Sequence, residues 1–287
     1  MTQKLNERAM LASLTISRWQ ATKTDKKITR EVADRHAVNE RRAGKYRKFA
    51  IDVEAPSFKA TNSAASAIRH EHYFQTLPWG QDGARILTAA NFETYSAKMR
   101  SLRADFEQAS DDFASDYPRL CENAKRELNG MWDASDYPRD IRRKFAIELS
   151  IMPLPDAADF RAALSDDAVS TIRSSIEAEL AKTTALAMRD PYERLYQHIE
   201  RMTNALKDPK GIFRDSLVSG LDELCRLLPR LNLTSDPKLD ELTAKAQGLI
   251  QGIDAQQLRE VPAIRASVAQ RASEIQDAMA AFMGAAS

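Results

Sequence analysis

The stretch from Asn91 to Gly130, NFETYSAKMRSLRADFEQASDDFASDYPRLCENAKRELNG, constrains this chain more than any other. Phe92, Tyr95, Met99, Leu102, Phe106, Ala109 and Phe113 recur at alternating steps of three and four. That spacing keeps all of them on one stripe of a helix, the seam of a helix lying along another helix. Asn91 suits an N-cap, Glu93 places a carboxylate in the first turn, and Gly130 is a natural stop. Pro118 lies within the pattern, so a kink or restart is expected near Asp116. The part before Pro118 alone would run about 35–40 Å. Such a helix is a scaffold, and it predicts a mainly α, elongated fold with a small β part. The same seam serves a helix pair within one chain or a coiled coil between two copies.

Around this helix the chain divides into three regions: a basic N-terminal α/β region over 1–90, a long-helix pair over 91–210, and a C-terminal helical region over 211–287. Leu14 and Ile16 alternate with Thr15 and Ser17, which suits a short strand. A connector is expected at 54–63. Phe145, Ile147, Leu149 and Ile151 alternate with Ala146, Glu148 and Ser150 and read as a strand; Asp159 to Leu164 would return beside it as a β-hairpin near 145–164. Ser165 and Asp166 open a second long helix with two stripes, Val169, Ile172, Ile176, Leu180 and then Leu195, Ile199, Met202, Leu206. Asp190-Pro191 should kink or divide it. The two long helices would lie antiparallel. The echo ASDYPR at 114–119 and 134–139 reads as a repeated helix start, with Asp capping and Pro in the first turn. The last third is an amphipathic helix ending at Pro229, a second starting at Asp236-Pro237, and a third from about Val261.

Charge is unevenly spread. The net charge is +1, yet Met1 to Lys48 holds 13 Lys+Arg against 5 Asp+Glu, leaving 29 basic against 36 acidic residues elsewhere. A basic head on an acidic body suggests an electrostatic partner site or head-to-body packing between copies. Thr24 and Asp25 should open a helix through about Arg42, with Ile28 and Val32 on its buried side. The focus follows in ERRAGKYRKF, where Arg41, Arg42, Lys45, Arg47 and Lys48 interleave with Tyr46 and Phe49. Basic residues mixed with aromatics can track a phosphate backbone and stack a base. The same residues also fit a solvated helix end followed by a strand with two core aromatics.

Other patterns narrow the chemistry. Only 9 glycines occur and none cluster, and neither GxxxxGK[ST] nor GxGxxG is present, so a phosphate-cradling loop is not expected. His70, Glu71 and His72 lack a third ligand at sensible spacing. Asp111-Asp112, Asp166-Asp167 and Asp222-Glu223 fall on charged helix faces or caps. Cys121 and Cys225 lie far apart among apolar helical neighbours and read as buried thiols of a reducing cytoplasm. No apolar run approaches the roughly 20 residues that span a bilayer. Trp79, between Leu77-Pro78 and Gly80, reads as an aromatic-anchored turn that packs or faces a partner.

The phrases LTISRWQATKTDKKITREVADRHA, TLPWGQDGARIL, NFETYSAKMR, LNGMWDASDYP, PLPDAADFR and FRDSLVSGLDELCRLLPRLNLTSDP occur in this order between about Leu11 and Pro237. In these the chain resembles a domain-of-unknown-function family of tailed phages, prophages and integrative mobile elements. That resemblance implies a neighbour: such proteins are often encoded beside a MoxR- or CobS-like AAA+ ATPase and a CobT-like protein with a von Willebrand factor A domain. It carries over no catalytic residue and no cofactor. The expectation is a non-enzymatic assembly or adaptor protein of the bacterial host cytoplasm. It would work with the ATPase or by self-association, with the basic head or Trp79 as the contact. The alternative is a nucleic-acid-binding protein using the basic head.

Overall fold

The computed structural model describes residues 5–80, 83–159, 164–208 and 213–285. The fold is mainly α with a small antiparallel β part. A short α1 (Leu5–Arg8) leads into β1 (Ala9–Ser17), β2 (Thr22–Thr24), α2 (Lys26–Arg35), α3 (Glu40–Ala43) and β3 (Arg47–Phe49). Next come α4 (Pro56–Phe74), β4 (Leu77–Pro78), β5 (Ala84–Thr88), the 37-residue α5 (Phe92–Leu128) and β6 (Ala146–Pro153). The 42-residue α6 (Asp166–Lys207), α7 (Asp215–Leu231), α8 (Pro237–Ile250), α9 (Ala255–Glu260) and α10 (Pro262–Ala285) complete the chain. No helix among the described residues is long and apolar enough to cross a membrane.

The long seam is real. Tyr95, Met99, Phe106 and Phe113 are buried and Phe92, Leu102 and Ala109 half-buried within a single chain. Several local expectations are corrected. Asn91 ends a 3-10 turn and is fully buried; it donates to the backbone carbonyl and the side-chain oxygen of Gln75, both at 2.8 Å, instead of capping α5. Neither Pro118 nor Pro191 ends its helix. Each proline removes one backbone bond, a cost of about 3 kcal/mol. Buried Phe113, Tyr117 and Leu120 flank the first and Met188, Tyr192 and Leu195 the second, and that burial outweighs the cost. Pro229 likewise lies inside α7. The predicted connector at 54–63 is mostly the first turns of α4. The strand after Phe145 is present as β6, but its neighbour is β1. Of the return strand expected over Asp159 to Leu164, Asp159 closes a 3-10 turn (Ala157–Asp159) and 160–163 lie outside the described residues.

The chain forms two compact units, each assembled from separate segments. The first comprises Met1–Ser13, Tyr73–Tyr95 and Ser150–Ser287. In it β5 pairs antiparallel with β1 (Ala9↔Thr88 to Ser13↔Ala84) and with β4 (Leu77↔Ile86, Pro78↔Arg85), within the sheet order β4-β5-β1-β6. Leu11, Leu77 and Ile86 join one core with the second stripe of α6 and with Leu221, Leu228, Leu242, Leu249 and Met279 from α7, α8 and α10. The first stripe of α6 is only half-buried. Asp236 caps α8 and Ser165 caps α6, as their sequence positions predict.

His198 lies in this core with Nε2 2.8 Å from the Leu217 carbonyl. A Cβ on Gly220 would sit 3.0 Å from its Cε1, so a larger residue there would press on the ring. Burial, aided by Arg201, pushes the imidazole pKa down against the pull of the Leu217 bond. Unfolded histidine protonates near pH 6.5. The folded ring resists protonation, so falling pH favours the unfolded chain: this contribution is full above about pH 6.5 and is lost below it. We therefore expect the melting temperature to fall between about pH 7 and pH 5, with a shallower fall in His198→Gln, measured by circular dichroism at each pH.

The second unit comprises Leu14–His72 and Ser96–Leu149. Its core is aromatic: Trp19, Phe58, Phe113 and Tyr117 are all buried, with ring centroids 5.4–6.4 Å apart among the contacting pairs. Both ASDYPR copies feed this unit, though neither starts an α-helix. The first lies within α5, where Asp116 accepts from Ser57 at 2.7 Å and from Arg119. The second is a 3-10 turn, Ala134–Asp136, followed by irregular chain.

Candidate functional site

Residues 22–49 of the second unit form a small module on which most of the sequence's basic focus falls. β2 and β3 pair as a two-stranded ribbon, Thr22↔Phe49, Lys23↔Lys48 and Thr24↔Arg47. Ala21 turns the chain into it with φ of 52°, and the Ala50 amide donates to the Ala21 carbonyl at 2.7 Å to close the base. At the far end Asp25 accepts from the amides of Lys27 and Ile28, both at 3.0 Å, and so caps α2. The Asp25 amide donates to the Tyr46 carbonyl at 3.0 Å. The Thr29 hydroxyl donates to the Asp25 carbonyl at 2.6 Å and accepts from the Tyr46 amide at 3.1 Å. Ribbon and helix thus share one hydrogen-bonded corner.

The single helix expected here is two. Ala37 takes φ of 49°, α2 stops before it, and Asn39 caps α3 by accepting from the Arg41 amide at 2.9 Å. The register of α2 then buries Ala33, and Val32, expected inside, is exposed.

Residues directly opposite in an antiparallel pair share a face. Lys23 and Lys48 therefore point one way, and Thr22, Phe49, Thr24 and Arg47 the other. The Lys48 face is the inner one. Its ammonium lies 3.0 Å from Asp136 and 3.6 Å from Asp25, and it donates to the Met131 carbonyl. Burial lowers the pKa of this ammonium, but hydrogen bonding and attraction to Asp136, then to Asp25, outweigh that and hold it above the ordinary lysine value. Lys48 was expected among the partner contacts; it is 7% exposed and serves as the ribbon's anchor. The loop that it grips is braced by Trp132 stacked on Tyr137, with ring centroids 5.7 Å apart.

The outer face is the reverse of a core strand, with Phe49 58% exposed. Elsewhere in the module Tyr46 is 44% exposed, and with Val32 and Val38 these residues make four of the ten large hydrophobic side chains exposed among the described residues. Ten Lys+Arg stand against four Asp+Glu between 22 and 49. Arg30 pairs with Glu40 at 3.0 Å. Among the described residues no carboxylate lies within ion-pair distance of Arg41, Arg42, Lys45 or Arg47, all of them exposed.

No family model, no curated protein and no solved structure matches the chain. The site therefore stands on its geometry alone.

The remaining sequence candidates lie elsewhere. Trp79 is half-buried and packs against the core of the first unit. His70 and His72 sit in α4, His72 buried and His70 exposed. Cys225 is buried and desolvation pushes its thiol up to about 12; Cys121 is partly buried and raised for the same reason, so neither is an activated thiolate. An open depression of about 860 Å³ lies among α7, α8 and α9. In it Arg259 pairs with Asp215 at 2.8 Å, and Asp254 is engaged in a capping box with Gln257. Sequence reasoning missed Val32 and Val38 as exposed and Asp136 as the partner of Lys48. The repeated ASDYPR marked the loop without revealing that role.

Proposed function

We propose that this protein is a non-enzymatic assembly or adaptor protein whose working surface is the β2–α2–α3–β3 module. One observation carries the reading. The module buries little beyond Ala33 and Lys48, yet it presents two aromatic rings, two valines and unpaired arginines and lysines to solvent. A segment that stabilises itself so sparingly, and exposes apolar surface amid charge, has the composition of a contact site. The part of α5 in the same unit serves as its scaffold. The α5 seam is consumed within one chain, so association with other molecules falls to surfaces such as this one. The resemblance of the sequence to proteins of tailed phages and mobile elements supports a MoxR- or CobS-like AAA+ ATPase as partner, with the CobT-like protein as a second.

Light scattering of the protein alone, then with that ATPase and nucleotide, tests the reading. We expect a discrete co-complex that Arg41→Glu, Arg42→Glu, Lys45→Glu and Arg47→Glu together weaken. A monomer indifferent to the ATPase would overturn it.

A further inference from the structure

From the exposed surface of the module we infer a binding site for single-stranded nucleic acid, with bases stacking on Phe49 and Tyr46 and backbone phosphates meeting Arg47, Lys45, Arg41 and Arg42. The inference rests on the module being the working surface and not on any ATPase partner.

The two faces of the ribbon are inverted. A two-stranded ribbon with one buried face normally turns its aromatics inward and its lysines outward. Here Lys48 is inside, neutralised by Asp136 and Asp25, while Phe49 is outside. Lys48 is therefore spent inside the fold. Of the cations left outside, Arg47 lies on the ring's own face, Lys45 just before β3, and Arg41 and Arg42 in α3. Phe49 and Arg47 are two residues apart on one strand and on one face, about 7 Å apart along the ribbon. A flat apolar ring beside a guanidinium at that distance offers both halves of a nucleotide what they bind: a π surface for the base and a forked donor for the phosphate.

The same features choose among polyanions. In a duplex the base faces are already stacked on one another, so exposed rings gain little from its backbone. A single strand presents those faces. A polyanion without flat rings of its own, such as poly-glutamate, would use the cations and gain nothing from Phe49.

The test is fluorescence anisotropy with labelled oligothymidylate of about 20 nucleotides, a duplex of equal length, and poly-glutamate as competitor. The full chain is used, starting from about 50 mM salt. We expect the single strand to bind at least about tenfold more tightly than the duplex, with affinity falling as salt rises. Phe49→Ala should weaken binding about tenfold, as one stacked base predicts, without changing the salt slope. Phe49→Trp should retain affinity. The fourfold replacement of Arg41, Arg42, Lys45 and Arg47 by Glu should reduce binding to background. Because Phe49 and these four side chains are exposed, the variants should melt with the parent, which separates loss of binding from loss of fold. Absence of binding at low salt would overturn the inference. So would equal binding of duplex and single strand with no response to Phe49→Ala, or displacement by poly-glutamate as potent as by the oligonucleotide, the last pointing to an acidic protein face. None of these outcomes bears on whether the ATPase forms a co-complex.

Discussion

Replacing Phe113 by alanine lowers the stability of the second unit by about 3–5 kcal/mol, the cost of emptying a large aromatic site in a core. The ring has 0% exposure. Trp19, Phe58, Tyr117 and Phe145 surround it, with centroids 6.3, 5.4, 5.8 and 5.6 Å away. Four rings cannot fold into the vacated space as flexible aliphatic chains could, so the cavity persists and the loss lies toward the top of the range. Urea unfolding followed by tryptophan fluorescence measures it, because Trp19 is itself part of the cluster. Leu102→Ala is the comparison. Leu102 occupies the same helical stripe within the same unit but is only half-buried, and should cost less than half as much. Equal costs would mean that the aromatic cluster is not what holds this unit together.

Replacing Lys48 by methionine is the second large effect. Methionine keeps the methylene packing and removes the ammonium. Asp136 and Asp25, whose side chains are 20% and 11% exposed, then share one pocket without a counter-charge. Breaking a fully buried pair costs about 3–5 kcal/mol; residual water at Asp136 brings the expectation to about 2–3 kcal/mol. Adding Asp136→Asn to Lys48→Met should restore part of the loss, since it removes one stranded carboxylate. Asp25 continues to cap α2, because the oxygen that accepts from Lys27 and Ile28 is not the one paired with Lys48. Denaturation of the four members of this cycle measures the coupling. No coupling between Lys48 and Asp136 would contradict the anchoring role. Lys48→Met should leave the salt slope of oligonucleotide binding unchanged, unlike replacements on the outer face.

The sequence made the long elements legible and the short-range decisions around them less so. The three-and-four spacing from Phe92 to Phe113 identified α5, and the alternation after Phe145 identified β6, because both patterns are local. The partner of β6 was not legible, since β1 lies far away in sequence and no turn joins the two. Pro118 and Pro191 signalled a kink or a break; the helices continue through both, because burial on either side outweighs the lost backbone bond. In the module, hydropathy predicts Phe49 inside and Lys48 outside. The opposite holds because a carboxylate from the second ASDYPR copy is waiting beneath the ribbon, and a charge pair across such a distance leaves no periodic trace. The split of α2 from α3 turns on one left-handed residue, Ala37, which composition does not announce. The two compact units also escaped the reading by continuous regions, because each gathers separate stretches of chain.

Hydrogen–deuterium exchange of the full chain, with and without oligothymidylate or the ATPase, shows whether 22–49 is the working surface. Free, the module buries few side chains, so its amides should exchange quickly. With a partner bound, we expect slowed exchange concentrated in 22–49, and no such slowing in the fourfold Glu variant. Protection confined to other segments, with 22–49 unchanged, would contradict it.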